Sequence, residues 1–180
     1  PDGDFLVTCR YLDTLIIIDK KTGEIKWRWG KGELAHPHNA NVTDDGNILV
    51  FDNGLHRANW DRPYSRVLEI DPNTDEIVWE YKGSSTVDFF SAFISGCQRL
   101  PNDNTLICEG AKGRFFEVTT GGEIVWEYVN PFFIRDIHLG LTNLVFRAHR
   151  YAPDYPGFKG RDLQPKKFNV LNNIYSSIGL

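Results

Sequence analysis

The sequence predicts an all-β fold made of repeated antiparallel sheets, and three observations lead there. First, one hairpin occurs three times, over Leu15 to Trp29, Val67 to Tyr81 and Arg114 to Tyr128. Each copy reads as an apolar strand, a turn of Asp, Asn, Thr and Gly, and a Glu-Ile-x-Trp-x-aromatic strand. Second, a further strand precedes each copy: Asp2-Gly-Asp-Phe-Leu-Val-Thr, Asp45-Gly-Asn-Ile-Leu-Val-Phe and Asn102-Asp-Asn-Thr-Leu-Ile-Cys. Third, no stretch sustains a 3.6-residue apolar period, which excludes helical solenoids. The aromatic-rich, Met-free composition leans the same way, because aromatic side chains suit a pleated surface.

Trp27, Trp79 and Trp126 stand 52 and then 47 residues apart. Four antiparallel strands at a period near 50 are the signature of a β-propeller blade. Taken in order, residues 1–30 supply strands two to four of a first blade. Residues 36–83 form a complete second blade, whose first two strands run from Ala40 to Thr43 and from Asn47 to Phe51. Residues 92–130 form a third, with its first strand around Ser95 to Leu100. Val145 to Tyr151 is expected to begin another. The partial propeller thus covers 1–160, and 161–180, with no blade pattern, is expected as tail or connector. Propellers close with four to eight blades, so about three blades do not make a ring. With Pro1 in mid-motif, the chain is expected to belong to a longer, six-bladed protein. The alternative is a homodimer in which two copies complete one ring.

A net charge of −4 with interspersed signs argues against a nucleic-acid surface, which needs a concentrated basic face. Lys159, Arg161, Lys166 and Lys167 read as a solvated terminus. Cys9, Cys97 and Cys108 lack Cys-x-x-Cys spacing, so no metal knuckle is indicated. No apolar run reaches the roughly 18 residues of a membrane span, and no signal peptide is visible.

Chemistry-bearing residues concentrate between His36 and Arg57. His36, His38 and Asn39 stand before a hairpin; Asp52, Asn53, His56 and Arg57 stand after it. In a propeller the first strands line the channel, so their ends converge with those of the second strands on one mouth. Arg10 and Asn53 occupy the same blade position, at the ends of second strands. His38 lies on the approach to a first strand, and its counterpart one blade later is Ser95. Ile25, Ile77 and Ile124 recur because every blade packs alike, whereas His38 does not recur. Other readings stand beside the catalytic one. His36 and His38 as His-x-His suit metal ligation, since alternate strand residues share a face. Asp52-Asn53-Gly54 reads as a turn. Asp71 to Asp75 starts like a calcium loop, but Glu76 and Lys82 replace the required Gly and Glu, so it reads as a hairpin turn.

His38-x-Ala40, the hairpin, Phe51-Asp-Asn-Gly54, Arg57, Tyr64-Ser-Arg66, the upstream Val7-Thr-Cys-Arg10 and the Gly-Glu-Ile-x-Trp hairpins together resemble the arylsulfotransferase family. Those propellers are quinoprotein-like in fold and use no quinone. The resemblance covers residues 1 to about 160. It implies transfer of a sulfuryl group from an aryl sulfate to a phenol through a sulfohistidine, with no cofactor and no metal, in an exported or periplasmic protein. His38 matches the family's nucleophile and Arg10 an arginine that faces the sulfate. His36, Asn39, Asn53, Arg57 and Ser95 are expected to join substrate binding. Phe89, Phe90, Phe93 or Phe146 are expected as walls for the phenol ring. The family's His-x-Asn pair on the strand before Arg10 has no counterpart here, and His-Pro-His-Asn replaces a single His. The reading from another class is a non-catalytic propeller module that binds a partner in its channel.

Overall fold

Side-chain turns decide where the strands end. Asp19 Oδ1 accepts the backbone N–H groups of Lys21 and Thr22 at 2.8 and 2.9 Å. Asp71 Oδ1 accepts that of Asn73 at 2.8 Å. Each Asx turn reverses the chain into the next strand. The computed structural model describes residues 3–57, 63–164, 166 and 169; the first two residues and most of the expected tail over 161–180 lie outside these.

β1 (Phe5–Cys9), β2 (Thr14–Ile18) and β3 (Ile25–Trp29) form a three-stranded antiparallel sheet in that order. β4 (Pro37–Val42), β5 (Ile48–Asp52), β6 (Arg66–Asp71) and β7 (Glu76–Lys82) form a four-stranded meander. β8 (Gly96–Arg99), β9 (Thr105–Glu109), β10 (Arg114–Val118) and β11 (Ile124–Val129) form another. The last two strands of each of these three sheets slip register at the same place, after Ile17, Glu69 and Glu117. These sheets are the blades of a β-propeller, and no α-helix lies among the named elements. No helix among the described residues is long and apolar enough to cross a membrane.

The middle blade is buried on both faces, and alternation explains how. Leu49, Phe51 and Val67 join Phe89, Ile107 and Phe116 in the core shared with the third blade. Ile48, Val50, Leu68 and Ile70 join Leu15 and Leu34 in the core shared with the first. Burying each such side chain stabilises by about 1.5–3 kcal/mol. Polar staples supplement the cores at the blade edges. Trp27 Nε1 donates to Asp75 Oδ1 (2.8 Å), Trp29 Nε1 to the Asp75 carbonyl (3.1 Å), and Trp79 Nε1 to the Thr120 carbonyl (2.9 Å). Trp27, Trp29 and Trp79 thereby grip the last hairpin turn of the following blade.

Two elements differ from expectation. β4 begins at Pro37, so His38 lies within the strand, opposite Phe51; a bulge between His38 and Asn41 breaks the alternation that would have marked it. Val145 to Tyr151 forms no strand. It runs beside β8 through side-chain contacts instead: Gln98 Nε2 donates to the Arg150 carbonyl (3.0 Å), and Arg150 N donates to Gln98 Oε1 (2.8 Å). Arg150 still does there what Arg99 does one blade earlier. Arg99 pairs with Glu69 and covers the Trp79 ring at 4.7 Å; Arg150 pairs with Glu117 and covers Trp126 at 4.7 Å. A short hairpin that the sequence pattern did not signal, β12 (Ile134–Asp136) with β13 (Gly140–Thr142), precedes this segment.

Glycines mark two close approaches. Gly54 has φ +77°, and a Cβ there would overlap the Tyr64 carbonyl oxygen; a Cβ on Gly96 would overlap Asn39 Oδ1, where β4 meets β8. Gly54→Ala is expected to destabilise the fold by at least about 2 kcal/mol, from positive φ plus a backbone clash. Urea unfolding measures this, and a loss under about 0.5 kcal/mol, the usual range for an unremarkable surface change, would contradict the geometry.

Candidate functional site

Two adjacent residues at the end of β5 build the site. Asp52 is fully buried. Its Oδ1 accepts the Ala35 N–H at 2.8 Å, and its Oδ2 accepts Arg57 Nη2 at 2.6 Å and Arg66 Nε at 2.9 Å. The same device recurs at Glu109, which accepts the Phe90 N–H at 2.9 Å and pairs with Lys112 and Arg114. In the second and third blades a buried acid at the end of the second strand thus anchors the loop that leads into the first strand. Removing one partner of such a buried pair costs about 3–5 kcal/mol, because it strands the other charge.

Asn53 follows, also fully buried. Its Nδ2 donates to the Ser91 carbonyl at 2.7 Å and the Ile94 carbonyl at 3.0 Å. Carbonyls only accept, so the amide nitrogen must face them and Oδ1 must face away. Oδ1 lies 2.6 Å from His38 Nδ1. An amide oxygen cannot donate, so Nδ1 carries the proton and donates it. In the neutral ring, Nε2 is then left with the free lone pair. His38 is half-buried. Burial first, then the positive charges of Arg10 and Arg147, hold its pKa below the usual 6.5; the bonds its ring makes to Asn53 and to the His36 backbone oppose them.

The backbone around this pair is strained. Of seven non-glycine residues with positive φ among the described residues, five are grouped by sequence and contact about the pair: Asp13, His36, Asn39, Ile94 and Ser95. Each such conformation costs on the order of 1–3 kcal/mol, and Ile94 is β-branched, where the penalty is severe. Ile94 and Ser95 bend the loop that turns the Ile94 carbonyl toward Asn53. His36 and Asn39 bracket His38.

The expected site residues fall into two groups. Arg10 follows β1, and its guanidinium lies over the Tyr11 ring at 4.6 Å. Among the described residues it pairs with no carboxylate. Asn53 touches His38 and is positioned to orient it. The others are engaged elsewhere. Arg57 bonds Asp52 and the Glu33 carbonyl (2.6 Å) and covers Tyr64. Asn39 Oδ1 accepts the Cys97 N–H at 3.1 Å, bracing blade against blade. Ser95 is buried, with its Oγ on Ser91 Oγ and on the Gly110 N–H. His36 and His38 do not converge as a ligand pair: the His36 ring packs on His56 and Tyr11. Phe89 belongs to the core, whereas Phe146 is exposed. Cys9, Cys97 and Cys108 are free, and burial pushes the Cys108 thiol up to about 12.

Arg147 is a residue the sequence reading passed over. It is exposed, and its charge reaches His38; the Phe146 carbonyl beside it accepts the Ser95 N–H. Its signal in the sequence was only its place in a segment read as the next inner strand. A cavity of about 880 Å³, lined by residues that include Thr43, Glu69, Trp79, Arg99 and Arg150, opens at the opposite end of β4. His38 is not among the residues that line this cavity.

The pattern of the family described as Arylsulfotransferase (ASST) matches residues 1–131. No curated protein matches the chain. Among solved structures, a protein of unknown function from Bacteroides caccae is 17% identical at a TM-score of 0.53, over 71% of this chain and 42% of that one. Virginiamycin B lyase from Staphylococcus aureus is 19% identical at 0.49, over 71% and 38%. BamB from Moraxella catarrhalis is 14% identical at 0.43, over 69% and 31%. The chain therefore spans between 31% and 42% of the length of these structures, and the likeness to the first is one of fold.

A lowered histidine pKa has a defined sign. The stability that neutral His38 contributes is complete above its unfolded value near 6.5 and is lost as pH falls through the lowered folded value. The His38 ring resonances are expected to titrate below pH 6.5 by NMR, and Arg10→Gln to move the midpoint upward. A midpoint at or above 6.5 would contradict the placement of the ring.

Proposed function

We propose, for a chain that belongs to the arylsulfotransferase family, that His38 Nε2 accepts a sulfuryl group from a phenolic sulfate ester and passes it to a phenol. The observation that carries this reading is the Asn53 bond to His38 Nδ1, which leaves the lone pair on the other nitrogen. An imidazole is a nucleophile only through an unprotonated nitrogen. In the first half-reaction the Nε2 lone pair attacks sulfur, the sulfur–aryl oxygen bond breaks, and the aryloxide leaves and takes a proton from water. The sulfated ring is cationic, and the Asn53 oxygen on Nδ1–H stabilises it. In the second half-reaction the hydroxide left when the aryloxide took its proton from water removes the proton of the acceptor phenol, the phenol oxygen attacks sulfur, the sulfur–nitrogen bond breaks, and His38 returns to its starting tautomer.

The sulfuryl oxygens carry negative charge throughout, so fixed cations lower the barrier. Arg10 and Arg147 fill that role: neither guanidinium pairs with a carboxylate among the described residues, and the charge of each is felt at His38. Arginine presents a planar fork suited to two oxyanion oxygens at once. Phe146, exposed beside Arg147, is the aromatic surface best placed for the aryl ring.

Incubation with an aryl sulfate is expected to leave one SO₃ group on His38, located by mass spectrometry of the peptide. Arg10→Ala is expected to slow donor turnover by about 10²–10³. Donor turnover that survives His38→Ala would overturn the proposal.

A further inference from the structure

Asp13, His36 and His56 come from three separate parts of the chain: the turn before β2, the residue before β4, and the loop after β5. Each offers one ligand atom, and these atoms all lie within 4.8 Å of one another. Asp13 Oδ2 is 2.8 Å from His56 Nε2, while Asp13 Oδ1 accepts the His36 N–H at 2.8 Å. The His36 and His56 rings stand edge to face, with centroids 3.9 Å apart. A second observation is independent of this clustering: His36 Nδ1 is buried and has no hydrogen-bond partner. Buried ring nitrogens ordinarily have one, so this atom lacks a ligand or donor that its surroundings imply.

From this geometry we propose that Asp13, His36 and His56 form a binding site for a divalent transition-metal ion, with zinc the best match. Two imidazoles and a carboxylate are a zinc donor set that leaves one position open. Zinc–nitrogen bonds are about 2.0–2.1 Å, so tetrahedral donor atoms sit roughly 3.4 Å apart. The donor atoms lie within 4.8 Å of one another and must draw closer to reach that spacing, and His56 is the exposed member of the three. The His36 N–H on the second carboxylate oxygen orients Asp13, as outer hydrogen bonds do at metal centres. Burial lowers the His36 pKa, which favours the neutral ring that a metal requires. The nearby Arg10 charge opposes a cation, and the Asp13 carboxylate offsets it. The ion would clip the turn of the first blade to both ends of the second blade's opening hairpin. That fixes the segment leading into His38 without using His38 itself.

The test uses the full chain, stripped with a chelator and titrated with zinc chloride by calorimetry and with cobalt(II) by visible absorption. One zinc ion per chain, a tetrahedral cobalt band and a raised thermal midpoint are expected. His56→Ala, and independently His56→Gln at the same exposed position, lose the stoichiometric site, as does Asp13→Asn. His38→Ala retains it, which separates this site from a His36–His38 pair and from the fate of the sulfuryl-transfer proposal. The absence of saturable binding, binding unchanged in both His56 variants, or binding lost with His38→Ala would each overturn the assignment.

Discussion

One buried amide holds the arrangement together. The Asn53 side chain makes three hydrogen bonds, two to carbonyls of the loop that enters the third blade and one to a histidine on the first strand of the second. It therefore joins two blades and fixes a tautomer in the same stroke. A solvent-exposed asparagine could flip to exchange its ends. This one cannot, because reversing it would set an amide oxygen against the Ser91 and Ile94 carbonyls.

The surroundings supply the rigidity that such a contact needs. Asp52 ties the approach to β4 at Ala35, Ser65 Oγ donates to the Asn53 carbonyl at 2.8 Å, and Ser91 Oγ meets Ser95 Oγ. Hydrogen bonds this dense let the backbone hold five residues at positive φ near the pair, a combined strain that the cores on both faces of the middle blade offset. Scaffold and site thus divide by repetition. The acid anchors at Asp52 and Glu109, the tryptophan staples and the register slips recur from blade to blade. His38 and Asn53 occur once, although their blade counterparts Ser95 and Gly110 still touch each other through the Ser95 Oγ bond to the Gly110 N–H.

Much of the fold was legible because its signals are local. The Asp-Asn-Thr-Gly turns, the Glu-Ile-x-Trp strands and the period near 50 each depend on residues adjacent in sequence. The start of β4 was not, since a bulge at Asn39 interrupts the alternation on which strand recognition rests. At the site, the sequence singled out His38, Arg10 and Asn53 but not the relation between them. Asn53 was expected to join substrate binding, and in the structure its side-chain oxygen meets the His38 ring. Arg57, Asn39 and Ser95 are polar residues in suggestive places, and their partners, Asp52, Cys97 N–H and Ser91, are set by blade packing that no spacing reveals. Arg147 and the Asp13–His36–His56 cluster were illegible for the same reason: each draws together residues more than 20 positions apart or on different blades.

The free lone pair on His38 Nε2 is the point on which the chemistry turns, and long-range proton–nitrogen NMR of the ¹⁵N-histidine-labelled chain reads it directly. At neutral pH the account predicts that His38 carries its proton on Nδ1, with Nε2 at the shift of an unprotonated nitrogen, and that Asn53→Ala mixes the two tautomers. A proton found on Nε2, with Nδ1 bare, would contradict it.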